Sequence, residues 1–270
     1  MPGPTEITPD NLMRRIGLPD APRLIDVRID EDFDAAPALI PGARRQVFSQ
    51  IEALLPDLAG SPVVVICQKG LKLSQGAAAI LRSHGLRAET LAGGAEAWQA
   101  RGLPMVPVAV LPGVEAGGTL WVTRQRPKID RIACPWLIRR FVDRDARFLF
   151  VAQDQVALVA DRFGAIPFDI EDVFWSHRGE RCSFDMMLDE FCLHTEALDR
   201  MAGVIRAADT NRHDLAPEAA GLLALSVGYS RQYRDDIAQL EATLPLYDSL
   251  YRWARDGFEE THDWPNPGRG

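Results

Sequence analysis

The stretch VVVICQKGLKLSQGAAAIL, residues 63–81, constrains the fold more than any other part of the chain. An apolar, mostly β-branched run closes on Cys67, a short loop with Lys69, Gly70 and Lys72 follows, and the sequence then turns alanine-rich with helical spacing. A short apolar run of this kind reads as a strand buried on both faces, the pattern of a parallel sheet whose strands are joined by crossover helices. The flanking segments repeat the alternation. RLIDVR reads as a strand, QIEALLPDL as a helix, SQGAAAILRSHG as a helix stopped by Gly85, AETLAG as a strand and GAEAWQARG as a helix stopped by Gly102. The expectation is an α/β N-terminal domain with a parallel sheet flanked by helices. Ligands of such sheets bind beyond the carboxyl ends of the strands, which puts Cys67 on the functional rim.

The residue types around Cys67 suit a nucleophilic thiol. Amides at the start of the following helix have no intrahelical acceptor and carry partial positive charge, so they stabilise a thiolate, a persulfide or an oxyanion. Gly70 permits a loop conformation that curls amides inward. Lys69 and Lys72 add full positive charges that favour the thiolate. The plain alternative is a cysteine that merely ends a core strand.

At 270 residues the chain exceeds one ordinary domain. MVPVAVLPGVEAGG, from residue 105, has no helical period and is rich in proline and glycine, so it reads as a linker with at most one short strand. The expected layout is a domain over residues 1–107, a linker over 108–118, a second domain over 119–258 and a tail over 259–270. The second domain reads as mainly α (α+β): ACPWLIRRFV has helical spacing, FLFV is a short strand, and amphipathic helices run from Ala197 to about Ala254 with breaks near 209–216 and at Gly228. Residues 1–110 hold 11 Lys+Arg against 12 Asp+Glu, so nearly all of the net charge of −8 falls on residues 111–270. That balance argues against nucleic acid as a partner, since phosphate binding needs a basic face. No apolar run is long enough for a membrane span, and the start MPGPTEITPD has neither a basic region nor an apolar one, so a cytoplasmic location is expected. Four cysteines in a chain this long point to reactive or ligating thiols rather than a disulfide framework.

Four features of the first domain, in order, resemble the rhodanese family: LIDVR (24–28), IPGAR (40–44), the Cys67 loop and LAGGAEAWQARGLP (91–104). The resemblance implies that Cys67 takes a sulfane sulfur from a small donor, holds it as a persulfide and passes it to a thiol acceptor, with Asp26 and Arg28 as architectural residues. Departures are Leu39 where the family often has His, Lys72 where it has Arg, and Ser74, which suggests a helix starting one residue late. A lysine gives no bidentate grip on thiosulfate-like oxyanions, so thiosulfate turnover is expected to be poor. A lengthened loop would instead resemble phosphatases and arsenate reductases. Loop length separates the two.

Residues 119–255 are similar to the C-terminal domain of chromate-resistance proteins of the ChrB type, through TLWVTRQRPKIDRIACPWLIRRFVDRDARFLFV, GAIPFDIEDV, SHRGERCSFD and IRAADTNRHDLAPEAAGLLALS. The resemblance implies a role in chromate sensing or resistance, with chromate or another oxyanion as partner. Regulators of that family carry an N-terminal DNA-binding module that is not legible here. The polar residues cluster in three segments. RPKIDRIACPW offers Arg126, Lys128, Asp130, Arg131 and Cys134; SHRGERCSFD offers His177, Glu180, Cys182 and Asp185; RAADTNRHD offers Asp209, His213 and Asp214. Asp130 and Cys134 share a helix face if the segment is helical. Two readings stand side by side. In one, His177, Cys182, Asp130, Cys134 and Asp209 converge as ligands of a transition metal, zinc or iron. In the other, Arg126, Lys128 and Arg131 line an oxyanion or substrate cleft without metal. Each residue also has a plain structural role open to it, and there is no CxxC or HExxH spacing.

Overall fold

A computed structural model describes residue 3, residues 5–111 and residues 118–260. Most of the expected linker and nearly all of the expected tail therefore lie outside the described residues. The strands are β1 (Glu6–Ile7), β2 (Arg23–Asp26), β3 (Ala38–Leu39), β4 (Ala43–Arg45), β5 (Val63–Ile66), β6 (Ala88–Leu91), β7 (Val106–Pro107), β8 (Leu120–Arg124), β9 (Arg147–Val151) and β10 (Ile166–Pro167). The α-helices are α1 (Pro9–Met13), α2 (Asp30–Asp34), α3 (Leu55–Leu58), α4 (Lys72–Ser83), α5 (Gly94–Ala100), α6 (Asp130–Leu137), α7 (Val156–Phe163), α8 (Ser183–Glu190), α9 (Glu196–Asp209), α10 (Ala219–Gln232) and α11 (Asp236–Arg252).

The first domain is the expected α/β unit. Its five-stranded sheet runs β1-β6-β5-β2-β4 with every pairing parallel. All four residues of β5 are buried, as its unbroken apolar pattern requires. β3 and β7 form a separate antiparallel pair. The segment read as one helix before β5 is a 3-10 stretch, Phe48–Leu54, with Gln50 outside helical geometry, followed by the single turn α3. Pro56 accounts for the reset, because it lacks the amide that would bond back into the preceding turn.

The second domain is mainly helical around a small parallel sheet, β10-β8-β9. β8 was not legible as a strand. It is central and fully buried at Trp121, Val122 and Thr123, so it shows no polar alternation. Gly228 does not break a helix but lies within α10; the break comes at residues 233–235, where Asp235 caps α11 by accepting from the Ala238 amide at 2.6 Å.

A continuous apolar core joins the two units, running from Leu12, Ile16 and Leu24 to Trp136, Phe141 and Tyr251. Trp136, Phe141 and Tyr251 pack pairwise with centroids 5.6–5.7 Å apart. Gly17 fits against them only because it lacks a Cβ, which would stand 2.4 Å from Phe141 Cζ. The rim is polar. Arg23 makes a two-pronged pair with Asp145 at 2.9 and 3.1 Å, Arg144 donates to the carbonyl oxygens of Ala21 and Pro19, and Arg255 donates to that of Arg14. Packing of this kind couples the two units.

Candidate functional sites

Cys67 follows β5 at the carboxyl edge of the first sheet, and α4 begins at Lys72. The lengthened loop that would mark a phosphatase is not seen, and Ser74 lies within the first turn of α4 rather than at its start. The thiol is buried, not exposed as its lysine neighbours suggest; its Sγ lies 3.1 Å from Ser74 Oγ, and that hydroxyl also bonds the Leu71 carbonyl. Two of the loop carbonyls are held by α5. Ala95 and Glu96, in the first turn of α5, donate their amides to the carbonyl oxygens of Cys67 and Gln68 at 3.0 Å each. Among the described residues no protein oxygen accepts from the amides of residues 68–74, and α4 has no side-chain cap. A row of amide donors without protein acceptors is the raw material of an anion cradle.

Two glycines make this contact possible. Gly70 has φ +69 and Gly94 φ +63, both left-handed; a Cβ on Gly94 would stand 2.3 Å from the Cys67 carbonyl oxygen, and one on Gly70 2.5 Å from that of Leu91. Lys69 and Lys72 are exposed and enter no ion pair among the described residues. Asp26 and Arg28 are architectural, as implied: both are buried, paired through Arg28 Nη2 and Asp26 Oδ2 at 2.6 Å, with Arg28 also donating to the Ala38 carbonyl.

The second cluster stands at the carboxyl ends of β8 and β10. After β8 the chain passes through two left-handed non-glycine residues, Arg126 (φ +59) and Ile129 (φ +41), and so delivers Asp130 as the first residue of α6. A β-branched residue at positive φ is strained, and the surroundings hold it there: Ser226 Oγ accepts from the Ile129 amide, Tyr247 donates to the Ile129 carbonyl, and Gln239 donates to that of Pro127. After β10 comes Asp169, also left-handed (φ +53).

His177 Nε2 lies 3.5 Å from Asp130 Oδ2, 3.3 Å from Asp169 Oδ1 and 3.3 Å from Asp209 Oδ2. Carboxylate oxygens of Asp130 and Asp209 and a ring nitrogen of His177 all fall within 4.8 Å of one another, close enough to share a cation. The hydrogen bond that His177 donates to Asp169, together with the surrounding carboxylates, raises the His177 pKa to about 9. Burial, and then the charges of Asp209 and Asp169, push Asp130 well above the usual carboxylate range; burial and then Asp169 also raise Asp209.

The structure thus gathers Asp130, His177 and Asp209 and leaves the cysteines at the border of the cluster in other roles, the Cys182 thiol hydrogen-bonded to Asp130. Cys182 is the N-cap of α8, its amide donating to Asp185 Oδ2 at 3.0 Å, and Cys134 is in the core of α6. Burial raises both thiols and keeps them protonated. The three basic residues are not brought to one place either. Arg126 turns away to the carbonyls of Ser230 and Tyr233, because its left-handed backbone points the side chain at the end of α10. Lys128 is exposed. Arg131 alone borders the cluster, with Nε 3.3 Å from Asp169 Oδ2. Asp169, inside the GAIPFDIEDV segment, is the residue that sequence reading missed. A cavity of about 610 Å³ lies elsewhere, between the domains, where Arg23, Arg139 and Arg140 are already paired with Asp145, Glu241 and Asp248.

A cysteine at the sheet edge inside a glycine-closed amide loop, joined through one core to a helical domain with a carboxylate–imidazole cluster, describes a two-domain protein with two separate candidate sites. Residues 8–101 match the family described as rhodanese-like domain, and residues 121–254 match that described as ChrB, C-terminal domain. The chain is a fusion of a rhodanese-like domain with a ChrB C-terminal domain. Protein ChrB of Cupriavidus metallidurans is 36% identical over 135 residues, which make up 50% of this chain and 40% of that protein. The chain therefore spans less than half the length of that curated relative. Among solved structures, thiosulfate sulfurtransferase from Pseudomonas aeruginosa is 30% identical over 39% of this chain and 20% of its own, with TM-score 0.35. A rhodanese-related protein from Thermoplasma volcanium is 24% identical over 37% of this chain and 96% of its own, with TM-score 0.33. No helix among the described residues is long and apolar enough to cross a membrane.

Proposed function

We propose that this chain carries sulfane sulfur on Cys67 as a persulfide, in a sulfurtransferase-like cycle coupled to the second domain. The Cys67 thiolate attacks the outer sulfur of a small donor, the donor's S–S bond breaks, and its remainder leaves with the electron pair. A thiol acceptor, as its thiolate, then attacks the outer sulfur of the persulfide and restores the Cys67 thiolate. The observation that carries this reading is the row of amides over residues 68–74 without protein acceptors beside Cys67, while the carbonyls of Cys67 and Gln68 are held by α5. Such a cradle suits a persulfide anion and a leaving oxyanion. With Lys72 in place of a forked guanidinium, donors other than thiosulfate are favoured. The proposed partner of the second domain is chromate or another oxyanion, or a metal, and the proposed location is the cytoplasm, where all four cysteines would stay as the free thiols seen here.

Mass spectrometry after treatment with a polysulfide donor tests the proposal. One sulfur is expected on the peptide containing Cys67, with none gained by a Cys67→Ser variant at that position and no transfer to an acceptor thiol. Sulfur confined to Cys134, Cys182 or Cys192, or undiminished transfer by Cys67→Ser, would overturn it.

A further inference from the structure

We infer that Asp130, His177 and Asp209 bind a divalent first-row metal ion through oxygen and nitrogen donors alone, with Asp169 positioning the site and no cysteine among the ligands. This goes beyond sulfur carriage and does not depend on Cys67. The spacing comes first. Ligand atoms bonded to one metal at about 2.0–2.2 Å stand roughly 3.0–3.5 Å apart along the edges of the coordination polyhedron. His177 Nε2 is 3.5 Å from the Asp130 oxygen and 3.3 Å from that of Asp209, so both separations are already those of neighbouring ligands.

Burial is the second, independent observation. Asp130 is fully buried; its Oδ1 has no well-aligned hydrogen-bond partner, its Oδ2 accepts a long bond, 3.3 Å, from the Phe184 amide and lies 3.5 Å from His177 Nε2, and the Cys182 thiol is the other donor beside it. An isolated buried carboxylate oxygen is costly unless a cation completes it. Asp209 is as poorly explained by its own helix. It is the last residue of α9, where the negative end of the helix dipole repels a carboxylate. With all three carboxylates ionised, protein charge alone falls short, since they outnumber one imidazolium and the Arg131 guanidinium, so without a metal Asp130 is driven toward its protonated form. A divalent cation bound to neutral His177 brings the group into balance.

The surroundings are arranged to hold such a group still. The strained turn at Ile129, fixed by Ser226 and Tyr247, aims Asp130, and Ser183 Oγ with Arg131 fixes Asp169 beside it. His177 is 39% exposed on its side chain, which leaves an entry path and room for water or an anion on the metal. With Cys182 capping α8 and Cys134 in the core, the donor set is hard to intermediate. It selects Mn(II), Fe(II) or Zn(II) over thiolate-seeking metals.

The test uses the full chain without a histidine tag, stripped with a chelator and titrated calorimetrically with Zn²⁺, Mn²⁺ and Co²⁺. One ion per chain is expected for at least one of them, and Co²⁺ should give weak visible bands without a thiolate charge-transfer band. His177→Ala and Asp209→Asn, both at partly exposed positions, should weaken binding more than about 100-fold, since even outer partners of a metal ligand are worth 10–100-fold. Cys182→Ser should bind as the parent does, and circular dichroism confirms that each variant is folded. Absence of binding by the parent for all three ions, parent-like binding by folded His177→Ala and Asp209→Asn, or a thiolate band lost in Cys182→Ser would each overturn the inference. Cys67→Ser should bind metal unchanged and Asp209→Asn should still take up sulfur, so failure of one reading leaves the other standing.

Discussion

Gly94→Ala separates a tightly fitted cysteine loop from one that merely borders α5. The added methyl carries two costs. At φ +63 an L-residue loses about 1–2 kcal/mol. The Cβ would also stand 2.3 Å from the Cys67 carbonyl oxygen and 2.5 Å from the Gly70 amide nitrogen, both backbone atoms with no rotamer to yield. The loop must move off α5, which breaks the bonds from the Ala95 and Glu96 amides, at about 1 kcal/mol each. Gly85→Ala is the matched control: φ is +81, yet a Cβ there meets nothing within 4 Å, so it carries the backbone cost alone. The difference between the two variants is then about 2 kcal/mol, or roughly 4–8 °C in melting temperature for a chain near this size. Differential scanning fluorimetry measures the melting shift, and persulfide formation on Cys67 measures the cradle. Gly94→Ala should melt lower than Gly85→Ala and take up sulfur more slowly. Equal melting and equal sulfur uptake in the two variants would refute the fit between loop and helix.

Arg28→Ala leaves Asp26 buried without its partner and should cost about 3–5 kcal/mol, read as a lower urea midpoint. Phe141→Ala opens a cavity between the domains at a cost of about 3–5 kcal/mol; hydrogen exchange should quicken in β2 and β5 as well as in α6, whereas an effect confined to the second domain would argue against a shared core. In metal-free protein the His177 ring should titrate near pH 9 by NMR. Because that pKa is raised in the folded state, the stability it contributes is complete below the ordinary value near 6.5 and is lost as pH rises through 9. A melting temperature unchanged between pH 6 and 10 in a comparison of parent with His177→Ala would count against it.

The first domain was legible because its cues are local: unbroken apolar strands, glycine helix stops and a cysteine at a strand end are read residue by residue. Of the second sheet only β9 was legible, as FLFV, and its other two strands were hidden for a physical reason. β8 is buried on both faces and so carries no alternation, and β10 is two residues long and includes a proline. Gly228 misled in the opposite sense, since a glycine inside an otherwise strong helix costs only about 1 kcal/mol and α10 runs through it. The bond between the domains was equally out of sight. Ile16, Phe141 and Tyr251 are ordinary core residues in sequence, and nothing local shows that they meet around the glycine at position 17 to help join the units.

At the second site the residue types were readable and their grouping was not. Asp130, His177 and Asp209 stood out as polar residues at the ends of apolar segments, and they converge because those ends face one another over the carboxyl edge of β8 and β10. The cysteines belonged to the same pattern but stand at the edge of the cluster, since a buried thiol also serves as a helix cap or a core side chain without any ligand. Arg126 and Asp169 turn on one hidden variable, the sign of φ. At Arg126 a left-handed backbone swings a basic side chain out of the cluster; at Asp169 the same conformation turns an aspartate in an apolar segment toward His177. Asp169 follows closely on β10, and with that strand hidden no sequence signal marked the position as one where loops carry function. The swap of Arg126 for Asp169 decides the character of the site. With the arginine inside, the pocket would have suited an oxyanion; with the aspartate inside it is left short of positive charge, and a cation is what it lacks.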